Sequence, residues 1–74
     1  MEEKDEQLIR SLLEREPELR RYYEEHTALE RQLATFAQKL HLTPEEEVEK
    51  KRLQKRKLAG KDKMMEILSR YRGH

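Results

Sequence analysis

One residue in every three or four along the middle of the chain falls on a single seam. The seam consists of Leu19, Tyr22, His26, Leu29, Leu33, Phe36 and Leu40. Alternating intervals of three and four place such residues on one face of an α-helix and are typical of left-handed coiled-coil packing. We therefore expect a long helix at residues 17–41 that packs against a second helix.

The last third of the chain carries two apolar stripes. At 100° per residue, the first stripe contains Leu53, Gly60, Met64, Ile67 and Tyr71, of which the first four would form the hairpin core with the seam. The second stripe contains Leu58 and Met65, with Leu68 between the two stripes. Two stripes indicate two contacts, so we expect the first to close a helical hairpin and the second (Leu58, Met65, Leu68) to join one molecule to another.

Two prolines divide the chain into three helical segments. Thr43 is a good N-cap, Pro44 suits the first helical position, and Glu46 can complete a capping box, so a helix is predicted at residues 44–72. Pro17 follows Glu16, which is a poor cap, and leaves two alternatives: a break or a kink after a short helix at residues 4–15.

The predicted fold is all-α: an antiparallel helical hairpin of residues 17–41 and 44–72, with the short helix 4–15 packed on it or on a neighbour. That short helix carries Leu8, Ile9, Leu12 and Leu13. Residues 1–74 form a single domain in this prediction, in which Gly73 and His74 fray. No alternating strand pattern occurs in the sequence.

A turn near residues 42 and 43 would pair residues whose numbers add to about 86, which sets His26 opposite Gly60. Glycine inside a helix costs about 1 kcal/mol relative to alanine. We hypothesise that its missing side chain gives room to the imidazole; the alternative is a tolerated defect.

Composition favours a partner. The chain has 74 residues, of which 45% are charged and only 34% hydrophobic, so its own core is thin for its length. We expect a homodimer, or a higher homo-oligomer, that forms a helical bundle.

The absence of cysteine excludes disulfides and thiolate metal sites and fits the cytoplasm. Apolar runs never exceed two residues, so neither a signal peptide nor membrane insertion is predicted.

Charge is unevenly distributed along the chain. Residues 1–41 contain 7 basic and 10 acidic side chains, a net charge of −3, whereas residues 42–74 contain 10 and 6, a net charge of +4. Opposite net charges favour folding the two halves back on each other, although each exposed pair contributes only about 0–1 kcal/mol.

The basic stretch at residues 50–63 has two interpretations. The helical wheel places Lys51, Arg52, Lys55, Arg56 and Lys63 opposite the apolar stripes, which is typical of a solvated helix back. Alternatively, the first four of these residues would contact phosphates of a nucleic acid or an anionic surface. Three other lysines, at positions 50, 57 and 61, lie inside or beside the apolar arc, where their aliphatic stems can cover core atoms.

The sequence lacks residue patterns typical of catalytic sites. His26, His41 and His74 have no metal-ligand spacing, and the carboxylates are scattered over polar arcs. His26 lies on the seam, where a polar residue commonly fixes helix register. We predict no enzyme activity, no metal and no cofactor.

Two segments resemble the signatures of the YdcH-like family of small bacterial proteins: EEHTALERQL at residues 24–33 and KLAGKDKMMEIL at residues 57–68. The matching positions are His26, Leu29, Glu30 and Leu33 in the first, and Lys57, Leu58, Lys61, Asp62, Met64, Ile67 and Leu68 in the second. Gly60 departs from the family pattern, which has leucine there. The resemblance implies a self-associating helical hairpin in the bacterial cytoplasm; because the family has no established biochemical activity, it indicates no substrate.

The sequence thus predicts a non-enzymatic interaction or scaffold protein. The alternative is auxiliary nucleic-acid or anionic-surface binding through the basic face of the last helix.

Overall fold

The computed structural model describes residues 2–72, which form three α-helices and no strand. Helix α1 spans Glu3–Leu12, α2 spans Pro17–Ala37 and α3 spans Pro44–Ser69. Helices α2 and α3 pack against each other and form the main tertiary contact. The predicted all-α helical hairpin is therefore confirmed. The expected fraying of Gly73 and His74 lies outside the described residues.

Helix α3 begins at the predicted residue because its capping box forms. The Thr43 hydroxyl accepts a hydrogen bond from the Glu46 backbone N–H at 3.1 Å, and the Glu46 carboxylate accepts one from the Thr43 N–H at 2.9 Å. The Lys39 ammonium also donates to the Glu46 carboxylate. These hydrogen bonds lower the pKa of Glu46 below its ordinary value, and the one from Lys39 has the largest effect. Two orphan backbone groups at the helix start are thereby satisfied.

Each helix ends earlier than predicted. Helix α2 stops at Ala37 rather than residue 41, α3 at Ser69 rather than residue 72, and α1 at Leu12 rather than residue 15. None of these ends carries a glycine, so the sequence offers no stop signal there. The α1–α2 connection is a tight turn, in which the N–H groups of Arg15 and Glu16 both donate to the Leu12 carbonyl. The chain is thus broken, not kinked, before Pro17.

The core is thickest at the open end of the hairpin, where α2 begins and α3 ends and where α1 covers both. Its fully or almost fully buried side chains come from all three helices: Ile9 and Leu12, then Leu19, then Met64, Ile67 and Leu68. Leu8, Leu13, Tyr22, Tyr23 and Met65 pack around this cluster. Closer to the α2–α3 connection, Leu29 and Leu53 are the buried apolar residues.

Two of the positions predicted from the seam and stripes are wrong. Leu40 was predicted in the hairpin core but is 95% exposed, because α2 ends three residues before it and the seam ends with the helix. Leu68 was predicted in an interface between molecules but is 0% exposed inside the chain's own core. Met65 is half-buried and packs on the same core. Helix α1 therefore covers most of the stripe that was expected to need a second copy.

Polar contacts also join α1 and the turn after it to α2 and to the residues that follow α3. The Arg72 guanidinium donates to Asp5, and the Tyr71 hydroxyl donates to Glu16 in the turn after α1. The Tyr23 hydroxyl lies 3.4 Å from Glu6 Oε1. Both ends of the described chain are thus fastened to each other at the open end.

Candidate functional site

On one side of the α2–α3 pair, α1 packs against Met65 and Leu68 of α3 at the open end, and the same side is uncovered towards the α2–α3 connection. Near the start of α1, Glu2 and Asp5 line a cleft together with Lys61, Met65 and Arg72 of the C-terminal region. From Lys61 towards the α2–α3 connection a groove is uncovered. We call it the loop-end groove; its lining residues are Leu33, Ala34, Ala37, Lys50, Gln54, Lys57, Leu58 and Lys61.

Apolar side chains form the floor of the loop-end groove. Leu58 projects from α3 and is 62% exposed, and Leu33 of α2 is half-buried beside it. Ala34 and Ala37 complete the α2 wall and are exposed. Small residues let another backbone approach closely, so this floor is shaped to receive an elongated apolar surface.

Three lysines edge the loop-end groove, and Lys50, Lys57 and Lys61 are all half-buried. This burial is what the helical wheel predicts for aliphatic stems lying over apolar atoms. The Lys57 ammonium lies 3.7 Å from Glu30 Oε2. No carboxylate of residues 2–72 lies within 4.0 Å of the ammonium groups of Lys50 or Lys61. The edge of the groove is therefore positive.

His26 lies inside the hairpin and is 7% exposed. Its Nε2 is 3.5 Å from Glu30 Oε1, whereas its Nδ1 has no hydrogen-bond partner within the described residues. Burial lowers the pKa of His26 below its ordinary value of 6.5; Glu30 opposes this shift and Lys57 adds to it. Burial of the imidazole in the hairpin thus favours its neutral form.

Gly60 does not make room for His26. A Cβ placed on Gly60 would have nothing within 4 Å, so the hypothesis that its missing side chain seats the imidazole is wrong. Gly60 is buried but borders a separate cleft on the opposite side of the hairpin, between Tyr22 and Glu25 of α2 and Arg56 and Lys63 of α3. A side chain at position 60 would therefore begin in open space and would not clash with His26 at its Cβ.

The four residues of the basic face are exposed: Lys51, Arg52, Lys55 and Arg56. Two of them are paired with carboxylates. The Arg52 guanidinium lies 3.2 Å from Glu49, and that of Arg56 lies 3.6 Å from Glu25 of α2. These pairs neutralise part of the charge that a phosphate-binding surface would use.

The other seam and stripe residues lie within the hairpin. Leu19, His26, Leu29, Leu53, Gly60, Met64 and Ile67 are buried, and Tyr22, Leu33 and Phe36 are half-buried. Sequence reasoning missed the loop-end groove itself. The signal that could have found it is the pair Ala34 and Ala37, which lie three residues apart on α2 next to Leu33.

Residues 2–72 contain no group of three histidine or acidic side chains placed to hold a metal ion. None of the three helices has the length and apolar character that crossing a membrane requires. Comparison of the chain with models of known protein families, with curated proteins and with solved structures gives no match.

Proposed function

We propose that this chain is a non-enzymatic helical interaction module, an adaptor that holds a helix of another protein in the loop-end groove. The observation that carries the proposal is the exposure of Leu58 in an apolar groove, on the same stripe of α3 as Met65 and Leu68, which pack in the core with α1. Exposed apolar patches edged by polar groups commonly mark protein-binding surfaces.

A titration with a neutral amphipathic helical peptide, built from leucine and glutamine, tests this function. Backbone NMR shifts should change at the lining residues of the groove and leave the open-end core unaffected. Leu58→Glu should remove binding, because it places a carboxylate on the apolar floor. Val48→Glu is the matched control, since Val48 is 67% exposed and does not line the groove. Equal loss in both variants, or no binding by the unmodified protein, would refute the adaptor function.

Self-association is the second candidate, and the same exposed Leu58 favours it. Of the three residues predicted to join two molecules, Leu58 alone is exposed, so a homodimer would form around it. Sedimentation equilibrium at tens of micromolar should then give a dimer that Leu58→Glu dissociates and Val48→Glu preserves. A folded monomer at that concentration would refute the homodimer.

The resemblance to the YdcH-like family remains a proposal, and its self-association is subject to the same sedimentation test. The basic face is a weaker candidate for the working surface, because Arg52 and Arg56 are already paired with Glu49 and Glu25.

A further inference from the structure

We infer that the loop-end groove selects an acidic amphipathic helix of a partner protein, seated end to end with α1. The inference rests on the proposed adaptor function and adds the chemistry of the partner.

The first argument is the length of the groove. Its lining residues on α3 extend from Lys50 to Lys61, and a rise of 1.5 Å per residue makes this distance about 16 Å. That length accommodates about three helical turns. Helix α1, with 10 residues, occupies the adjoining part of the same side with a similar length. The uncovered groove is therefore one further helix long.

The second argument is that α1 already displays what this groove accepts. Helix α1 buries Ile9 and Leu12 against the hairpin, and its first turn carries Glu3, Asp5 and Glu6. Asp5 accepts from Arg72, and the cleft beside it contains Lys61. The resident helix thus buries apolar residues against the hairpin and pairs a carboxylate of its first turn, Asp5, with a basic residue, Arg72.

The third argument is charge. The lining of the loop-end groove contains three lysines and no carboxylate. Carboxylates on a docked helix would meet Lys50 and Lys61, whose ammonium groups have no carboxylate within 4.0 Å in residues 2–72. Such pairs steer association and select partners more than they add raw affinity.

A second copy of the chain fits this surface poorly. The large exposed apolar residues within residues 2–72 are Leu40, Val48, Leu58 and Tyr71, which form no continuous helical face. The outer side of α1 is polar at Gln7, Arg10 and Ser11. Two copies meeting at their grooves would also bring like-charged lysine edges together. The groove therefore favours a different protein.

Three fluorescent helical peptides of about 14 residues test the inference on the full chain. All share one leucine face with intervals of three and four, and their flanking residues are Glu, Gln or Lys. Fluorescence anisotropy should rank the affinities Glu, then Gln, then Lys. Raising NaCl from about 0.05 M to about 0.5 M should reduce the differences in affinity among the three peptides, because salt screens exposed charges.

Matched variants locate the effect. Lys50→Gln with Lys61→Gln should weaken the Glu peptide on the order of tenfold, which corresponds to two exposed pairs, and should weaken the Gln peptide much less, because that peptide loses no charge pair. Arg52→Gln with Lys63→Gln removes the same charge from exposed positions on the opposite side of α3 and should change neither affinity by more than about twofold. Circular dichroism checks that both variants remain helical.

The outcomes separate the two claims. If the Gln peptide binds through Leu58 but the Glu peptide binds no tighter than the Lys peptide, the acidic preference is refuted and the adaptor function stands. If both double variants weaken the Glu peptide equally, the attraction is general and the inference is refuted. If no peptide binds, both the adaptor function and the inference are refuted.

Discussion

Gly60 illustrates how a single residue can weaken a helix without a packing reason. It lies inside α3, and the space where its Cβ would be is open. Gly60→Ala should therefore raise the free energy of unfolding by about 1 kcal/mol, the difference in helix propensity. The corresponding rise in melting temperature is about 4–8 °C, measurable by circular dichroism.

The neighbouring residue supplies the control for this prediction. Ala59 is exposed in the same helix, so Ala59→Gly should lower stability by a similar amount. If Gly60→Ala instead destabilises the protein while Ala59→Gly behaves as expected, Gly60 has a packing role that its surroundings do not reveal.

At the scale of an element, the start of α3 depends on one side chain. Thr43 accepts the hydrogen bond that closes the capping box, so Thr43→Ala should lower the free energy of unfolding by about 1 kcal/mol. Urea denaturation provides the measurement. Thr35→Ala is the matched control: the Thr35 hydroxyl donates to helix carbonyls inside α2, and alanine is the better helix former there. An equal loss in both variants would contradict the capping role.

The same element explains why some helix boundaries could be predicted and others not. The start of α3 has a local signal in Thr43, Pro44 and Glu46, and that prediction is confirmed. The end of α2 has none: the apolar spacing continues to Leu40, but the chain must leave the helix at Ala37 to reach the extended cap at Thr43. Periodicity identifies a face, whereas the reversal of the chain decides where that face stops.

At the scale of the whole molecule, His26 is the position where charge from all three helices converges. Glu6 of α1, Glu30 of α2 and Lys57 of α3 act on its imidazole, and burial dominates by lowering its pKa below 6.5. In the unfolded chain His26 takes up a proton near its ordinary pKa of 6.5, whereas in the folded chain it does so only at lower pH. Between these pH values the unfolded state therefore binds more protons than the folded state. The contribution of His26 to the free energy of unfolding is thus highest above about pH 6.5 and decreases as the pH falls through the folded-state pKa.

Urea denaturation at pH 7.5 and pH 5.5 checks this dependence. The midpoint should fall at the lower pH in the unmodified protein and should fall less in His26→Leu, which does not titrate. His41→Leu, at an exposed position, serves as the control and should retain the loss. An unchanged midpoint in the unmodified protein would contradict this dependence. It would show that attraction to Glu30 favours the protonated imidazole as strongly as burial disfavours it.

The overall arrangement was only partly readable from the sequence. The two apolar stripes of α3 predicted one contact within the hairpin and one between molecules, but spacing alone cannot tell whether a stripe is covered by α1 or by another molecule. Leu68 is buried in the core with residues of α1, whereas Leu58 is exposed. The groove depends on where α1 stops along the hairpin, which is a property of the assembled helices and not of any one segment.

The seat of α1 has a consequence for the order in which the protein folds. Its contacts come from the start of α2 and from the far end of the chain, up to Arg72. Synthesis delivers α1 first, but the surface that receives it exists only after α3 has emerged and closed on α2. A ten-residue helix is marginal alone in water, so α1 is made before α2 and α3 but becomes ordered after them. Until α3 has closed on α2, Ile9 and Leu12 lack the partners that bury them.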